Sequence, residues 1–135
     1  MNNRYLYRAK RTDNGEWVEG FYVNAIEEHG NGERTAEIVA LDAMRTFDGI
    51  SPTLMIDPST ICQCTGLKDK NGKLIWENDI VKINGVVYIC FWNKSNFEWG
   101  FKNNAEDFGV AYISSDDIRI VGNIFDNPEL LEVGE

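Results

Sequence analysis

The chain has 135 residues, the size of one ordinary domain, and 43% of them are hydrophobic against 26% charged, a globular composition that can bury a core without metal or disulfide staples. Thirteen basic against 22 acidic residues give a net charge of -9, which opposes duplex nucleic acid binding by the chain as a whole, since that needs Lys and Arg to neutralise phosphates. Sixteen aromatic residues against three Pro favour strands around a core of large side chains.

In chain order, Tyr5, Tyr7 and Ala9 alternate with Leu6, Arg8 and Lys10, the period of a strand. Asp13-Asn14-Gly15 is a turn signal, because Asn and Gly tolerate positive φ. The pattern predicts a hairpin of Arg4–Arg11 with Glu16–Asn24. Glu27 to Glu33, with Gly30 and Gly32, reads as a loop tip. Arg34 to Leu41 reads as a strand or the start of a helix, which its run Glu37–Leu41 does not decide; the strand is the favoured reading, and Asp42 to Phe47 could extend a short helix. Ser51-Pro52 and Asp57-Pro58 exclude a long helix across this region, because the residue before a proline is pushed out of helical space. Asp57 to Thr60 reads as a turn or a single helical turn.

Further on, Asp69-Lys70-Asn71-Gly72-Lys73 reads as a hairpin tip, and Ile80–Asn84, Val86–Asn93 and Trp99–Lys102 as strands. Asn84-Gly85 is the sharpest hairpin signal in the chain, since a two-residue turn favours Asn-Gly. Val110–Ile113 and Ile118–Val121 read as two more strands. Asn127-Pro128-Glu129-Leu130-Leu131 reads as a short C-terminal helix, with Asn127 as cap, Pro128 at the first helical position and Glu129 at the positive end. The expected fold is mainly β with minor α, an α+β arrangement with hairpins in a small bent sheet or partly open barrel and a short C-terminal helix. One domain over residues 1–135 is expected.

Thr65 to Val81, TGLKDKNGKLIWENDIV, resembles the central signature of the YopX family over seventeen contiguous positions, with Asn78 where the family pattern has Gly. Tyr7 to Val23 is similar to the family's N-terminal hairpin. Gly122 to Leu131 is similar to its C-terminal signature, and Ile56 to Ile61 fits the approach to the central motif. Glu27 to Phe47 matches no family pattern. The resemblance implies a protein encoded by a phage or prophage, of a family without established catalytic or binding residues. Gly at position 78 implies a positive-φ turn, for which Asn is the next best residue. The motif also has a purely structural reading, in which Leu74 and Trp76 share one face of a strand and Asp79 accepts backbone amides in the next turn.

The residues that carry chemistry are few. Cys62 and Cys64 are one residue apart and Cys90 is distant, unlike the paired spacing of structural zinc sites, so buried cysteines acting as small hydrophobes are expected and no metal or cofactor. An odd number of cysteines without a secretory signal argues against a disulfide framework. His29, the one histidine, lies in a polar Gly-rich stretch and gives little support to a catalytic triad. Glu77 and Asp79 lie two apart, and paired carboxylates can bind a hard cation or divide acid and base roles. Phe91, Trp92, Phe97, Trp99 and Phe101 crowd one stretch, where aromatics anchor protein interfaces, stack on single-stranded bases or fill a core. Glu77, Asp79, Trp92 and Trp99 are the candidate interaction residues. No catalytic residue is assigned.

Charge is uneven: from Asn104 to Glu135 eight acidic residues face only Arg119. That tail suits a solvated face or a basic partner. With no signal-peptide pattern and no apolar run of membrane length, a cytoplasmic location in the host bacterial cell is expected. The expected function is non-enzymatic binding of a host or phage protein, with a homo-oligomer as a further possibility. A nucleic-acid-associated protein, with Arg4, Arg8, Lys10, Arg11, Lys68, Lys70, Lys73 and Lys82 on one side, is the alternative, followed by a small metal-dependent hydrolase.

Overall fold

Antiparallel strands and short turns make up most of the described residues, as the alternating patterns and turn dipeptides predict. The computed structural model describes residues 6–22, 27–28, 30, 34–40 and 53–131. His29, Arg4 and the Asp42–Phe47 segment lie outside the described residues. The chain divides into two units, Met1–Gln63 and Cys64–Glu135.

In the first unit, β1 (Tyr7–Lys10) pairs antiparallel with β2 (Trp17–Tyr22), and Gly15 takes φ +72° in the turn between them. This is the predicted N-terminal hairpin with shorter strands. Strand β4 (Arg34–Ala40) pairs with β2, with β3 (Glu27–Glu28) and with β5 (Thr53–Ile56). The expected loop at Glu27 thus begins with a two-residue strand, since ladder partners on β4 override its polar composition. A 3₁₀ turn at Pro58–Thr60 follows, with the Asp57 carboxylate accepting the Ser59 amide at 3.0 Å. It ties back to β1, where the Lys10 amide donates to Thr60 Oγ1 at 2.9 Å. Ala9 and Ile56 are fully buried, with Tyr7, Val18 and Ile61 packed on them. The start of β6 (Cys62–Lys68) pairs with β1 through Cys62 and Gln63.

In the second unit, the rest of β6 pairs with β7 (Leu74–Trp76). Five further strands form one antiparallel sheet in the order β11 (Asp107–Gly109), β10 (Glu98–Lys102), β9 (Val86–Asn93), β8 (Asp79–Ile83), β12 (Ile118–Asn123). This sheet is open, with β11 and β12 as its edges. Asn84 and Gly85 both adopt positive φ, 52° and 83°, as a two-residue hairpin turn requires. One sheet face carries the core of Val81, Ile83, Tyr88, Cys90, Phe101 and Ile118, completed by Ile75. Burying it is the main stabilising term, at about 25 cal/mol per Å² of apolar surface.

Two predicted elements take another form. Val110–Ile113 is not a strand: Val110–Tyr112 is a 3₁₀ turn closed by the Ile113 amide on the Val110 carbonyl at 3.2 Å. Val110 and Ile113, three residues apart, both pack on the core, a spacing that a 3₁₀ turn aligns and a strand would split. The C-terminal helix is likewise only a 3₁₀ turn, Pro128–Leu131. Asn127, the expected cap, turns backwards instead: its Oδ1 accepts the Asn123 amide at 3.3 Å. Four residues are also too few to offset the cost of nucleating an α-helix.

Candidate functional site

The signature Thr65–Val81 is best understood from its polar atoms. Between Cys64↔Trp76 and Lys68↔Leu74 the β6–β7 ladder is irregular, three residues on β6 facing one on β7. Gly66, at φ +80°, makes this bulge possible. Buried Thr65 repairs the ladder: its hydroxyl donates to the Ile75 carbonyl at 2.7 Å and accepts the Leu67 amide at 3.0 Å.

Asp69 is only 4% exposed. Its Oδ1 accepts the amides of Asn71 at 2.9 Å and Lys73 at 3.0 Å, closing the hairpin tip. Its Oδ2 reaches β12 and accepts the Ile120 amide at 3.1 Å. Burial pushes this carboxyl's pKa up, but the amides of Ile120, Lys73 and Asn71, with the Lys73 charge, outweigh burial and hold it below the ordinary carboxylate range. The neighbouring Lys70 amide donates to the Ile118 carbonyl at 2.8 Å. The hairpin tip is therefore clamped to β12 by main-chain and side-chain bonds together.

Glu77 and Asp79 sit in different surroundings. Glu77 is half-buried in the connection between β7 and β8. Asp79 is 2% exposed, and its Oδ2 accepts the Trp76 amide at 2.8 Å. The expectation that Asp79 serves the following turn is corrected: it closes the turn before it, because the reversal at Glu77-Asn78 brings the Trp76 amide back over its carboxylate. Asn78 adopts φ +71°, the conformation that Gly in the family pattern implies. Its amide donates to the Cys90 carbonyl at 2.9 Å, and its carbonyl accepts the Ile124 amide at 3.1 Å.

That last bond joins the central signature to the C-terminal one. Buried Asn123 sits opposite Asp79 in the ladder and organises the following turn. Its Oδ1 accepts the amides of Phe125 at 3.0 Å and Asp126 at 2.9 Å, and its Nδ2 donates to the Asp126 carboxylate at 3.1 Å. Gly122 leaves room for Asn127, since a Cβ there would lie 2.5 Å from Asn127 Oδ1. Thr65, Asp69, Asn78 and Asp79 of the signature are thus each tied into the hydrogen-bonded frame of this unit. The sequence singled out Asp79 but not Asp69 as a key carboxylate. The signal for Asp69 is an Asp opening an Asx-type turn, but its bond across 51 positions to Ile120 has no local trace.

The aromatic candidates form a different kind of surface. Trp92 and Trp99 are directly opposed across the β9–β10 ladder, their rings edge to face with centroids 5.2 Å apart. They extend the core face of the sheet past Cys90 and Phe101 to its rim. Trp99 packs on the core, whereas Trp92 is 40% exposed. In the hairpin loop beyond them Phe97 is 80% exposed with φ +53°. The turn Val110–Tyr112, packed against β10, carries Tyr112, which is 81% exposed. Phe97 and Tyr112 thus hold large aromatic groups in water near this end of the sheet.

Cys62, Cys64 and Cys90 are buried thiols, with no disulfide among them. Among the described residues, no three His, Cys, Asp or Glu side chains converge as a metal site. Among the same residues, no helix is long and apolar enough to cross a membrane. Of the basic residues expected to gather, Arg8 and Lys10 lie over the Trp17 ring at 4.7 and 5.4 Å, and Arg11 pairs with Asp13 at 2.6 Å.

No curated protein sequence matches the chain. The chain is similar to the crystal structure of protein EF1440 from Enterococcus faecalis, at 25% sequence identity and a TM-score of 0.50, covering 93% of this chain and 96% of the other. The family model described as YopX protein matches residues 6–132, taking in the central signature, the N-terminal hairpin and the C-terminal turn, and the chain belongs to the YopX family.

Proposed function

We propose that this chain is a phage or prophage accessory protein that works by binding another protein, with no chemistry of its own. The contact surface is the aromatic end of the β9–β10 hairpin. One observation carries the reading: Trp92, Phe97 and Tyr112 stand in water on elements whose neighbours Trp99, Val110 and Phe101 are fixed in the core. Rigid aromatic anchors on a packed base lose little side-chain entropy on binding and dominate interface energies. The carboxylates that invite a catalytic reading, Asp69 and Asp79, are occupied by backbone amides. The acidic C-terminal stretch favours a partner with a basic rim. The proposed setting is the host cytoplasm, with the chain acting as a single family-sized domain.

Affinity capture from nuclease-treated host lysate tests this. The wild-type chain retains a host or phage protein, and the Trp92→Ala/Phe97→Ser double variant, shown folded by its chemical-shift dispersion, loses it. Capture of only nuclease-sensitive material, or equal retention by the folded double variant, overturns the reading.

A further inference from the structure

The other face of the five-stranded sheet carries a feature that the aromatic surface does not use. Alternation along β8, β9, β10 and β12 sends Ile80, Lys82, Val87, Ile89, Lys102 and Arg119 to the side opposite the Val81–Phe101 core. A cavity of about 350 Å³ lies here, lined by Lys82, Val87, Ile89, Lys102, Asn103 and Leu130 among others. That volume is at the lower end of the range for small-molecule sites.

Its charge is opposite to that of the chain. In a protein of net charge -9, two lysines line the cavity and, among the described residues, no carboxylate does. Lys82 stands directly opposite Arg119 in the β8–β12 register, a like-charge pair that costs stability unless an anion relieves it. The Lys102 ammonium rests over the Phe91 ring at 4.8 Å, on the side of Ile89 away from Lys82. Lys82 and Lys102 sit on the strands either side of β9, at ladder positions two residues apart and so about 12 Å from each other, with Val87 and Ile89 between them. Burial raises the pKa of the Tyr88 hydroxyl, and the charge of Glu106, next along the chain from Ala105 of the lining, raises it further. Asn103 forms a fixed wall: its Nδ2 donates to the Val87 carbonyl at 3.2 Å and its Oδ1 accepts the amides of Ala105 and Glu106 at 2.9 and 3.0 Å.

We propose that this cavity binds a small amphipathic organic anion, a carboxylate held by Lys82 and joined by Lys102 swinging off the Phe91 ring, with an alkyl body along Val87, Ile89 and Leu130. The apolar floor supplies affinity by burial and the lysines supply the selection for charge. This site is separate from the aromatic surface, which lies at the far end of β9 on the core side.

Octanoate, octanol and inorganic phosphate, each titrated into isotope-labelled full-length chain and followed by backbone amide shifts, test the proposal. Octanoate is expected to shift the amides of Val87, Ile89, Lys102 and Asn103 saturably, and octanol and phosphate to bind at least about fivefold more weakly. Lys82→Gln and Lys102→Gln are each expected to weaken octanoate about three- to fivefold, while Lys94→Gln in the distant hairpin loop leaves it unchanged. Unchanged dispersion elsewhere confirms that each variant folds. No saturable shift at those amides, equal binding of octanol or phosphate, or indifference to both cavity lysines overturns it.

Discussion

Replacing Asp69 by Ala removes the acceptor of three backbone amides at once, those of Asn71, Lys73 and Ile120. A hydrogen bond to a charged acceptor contributes about 1.5–3 kcal/mol net when its partner is left buried. The Asn71 and Lys73 amides belong to exposed residues and recover water, so each counts below that range. The Ile120 amide, at the irregular step of β12, has no such recourse. The sum is about 3–5 kcal/mol for Asp69→Ala, a large share of a typical domain's stability. Asp69→Asn keeps one acceptor oxygen and is expected to lose about 1–3 kcal/mol, because its NH₂ faces an amide donor. Urea denaturation followed by tryptophan fluorescence reads both values. The carboxyl's folded pKa is depressed, so its stabilisation is complete above the unfolded value of about 3.9 and is lost as pH falls through the lower folded value. Wild-type stability should therefore decline on acidification below about pH 4, and less steeply in Asp69→Asn. An Asp69→Ala chain within about 1 kcal/mol of wild type refutes the clamp.

Other expectations follow from the same frame. Asn78→Gly should fold as stably as wild type, whereas Asn78→Val should lose about 1–2 kcal/mol, because the left-handed conformation resists a β-branched side chain; thermal denaturation compares them. Thr65→Val should lose about 1–3 kcal/mol, since the Leu67 amide and Ile75 carbonyl lose their common partner at unchanged shape. Gly122→Ala should lose about 1–3 kcal/mol as its methyl displaces Asn127, with the Asn123 amide exchanging faster with solvent. Trp92→Ala should cost only about 1 kcal/mol, the share of an edge-to-face pair at a rim, while abolishing partner capture.

The parts of this fold legible in the sequence are those set by neighbouring residues. Asn84-Gly85 announced its turn because both positions need positive φ, and Val86–Asn93 is bounded as its composition suggests. For Arg34–Leu41, where local pattern left strand and helix open, the favoured strand forms over Arg34–Ala40. What local pattern could not supply is pairing at a distance. Val110–Ile113 looks extended, yet its two apolar side chains meet one core at a spacing of three. Asn127 looks like a helix cap, yet its side chain answers Asn123. For the site, Trp92 and Trp99 were identifiable from aromatic crowding, but only the strand register shows that they stack and that one of them stays in water. The cavity with Lys82 and Lys102 left no sequence trace, because its residues come from the β8–β9 hairpin, the end of β10 and the C-terminal turn, which lie far apart in sequence.

The central claim is that the family signature is spent on holding the fold. Native-state hydrogen exchange of three amides tests it most directly: Trp76 to Asp79, Ile120 to Asp69, and Ile124 to the Asn78 carbonyl. The account predicts that all three exchange as slowly as the central amides of β8 and β9, through global unfolding. Exchange of these amides at loop rates, with β8 and β9 still protected, would contradict it and return the signature to the candidates for a binding site.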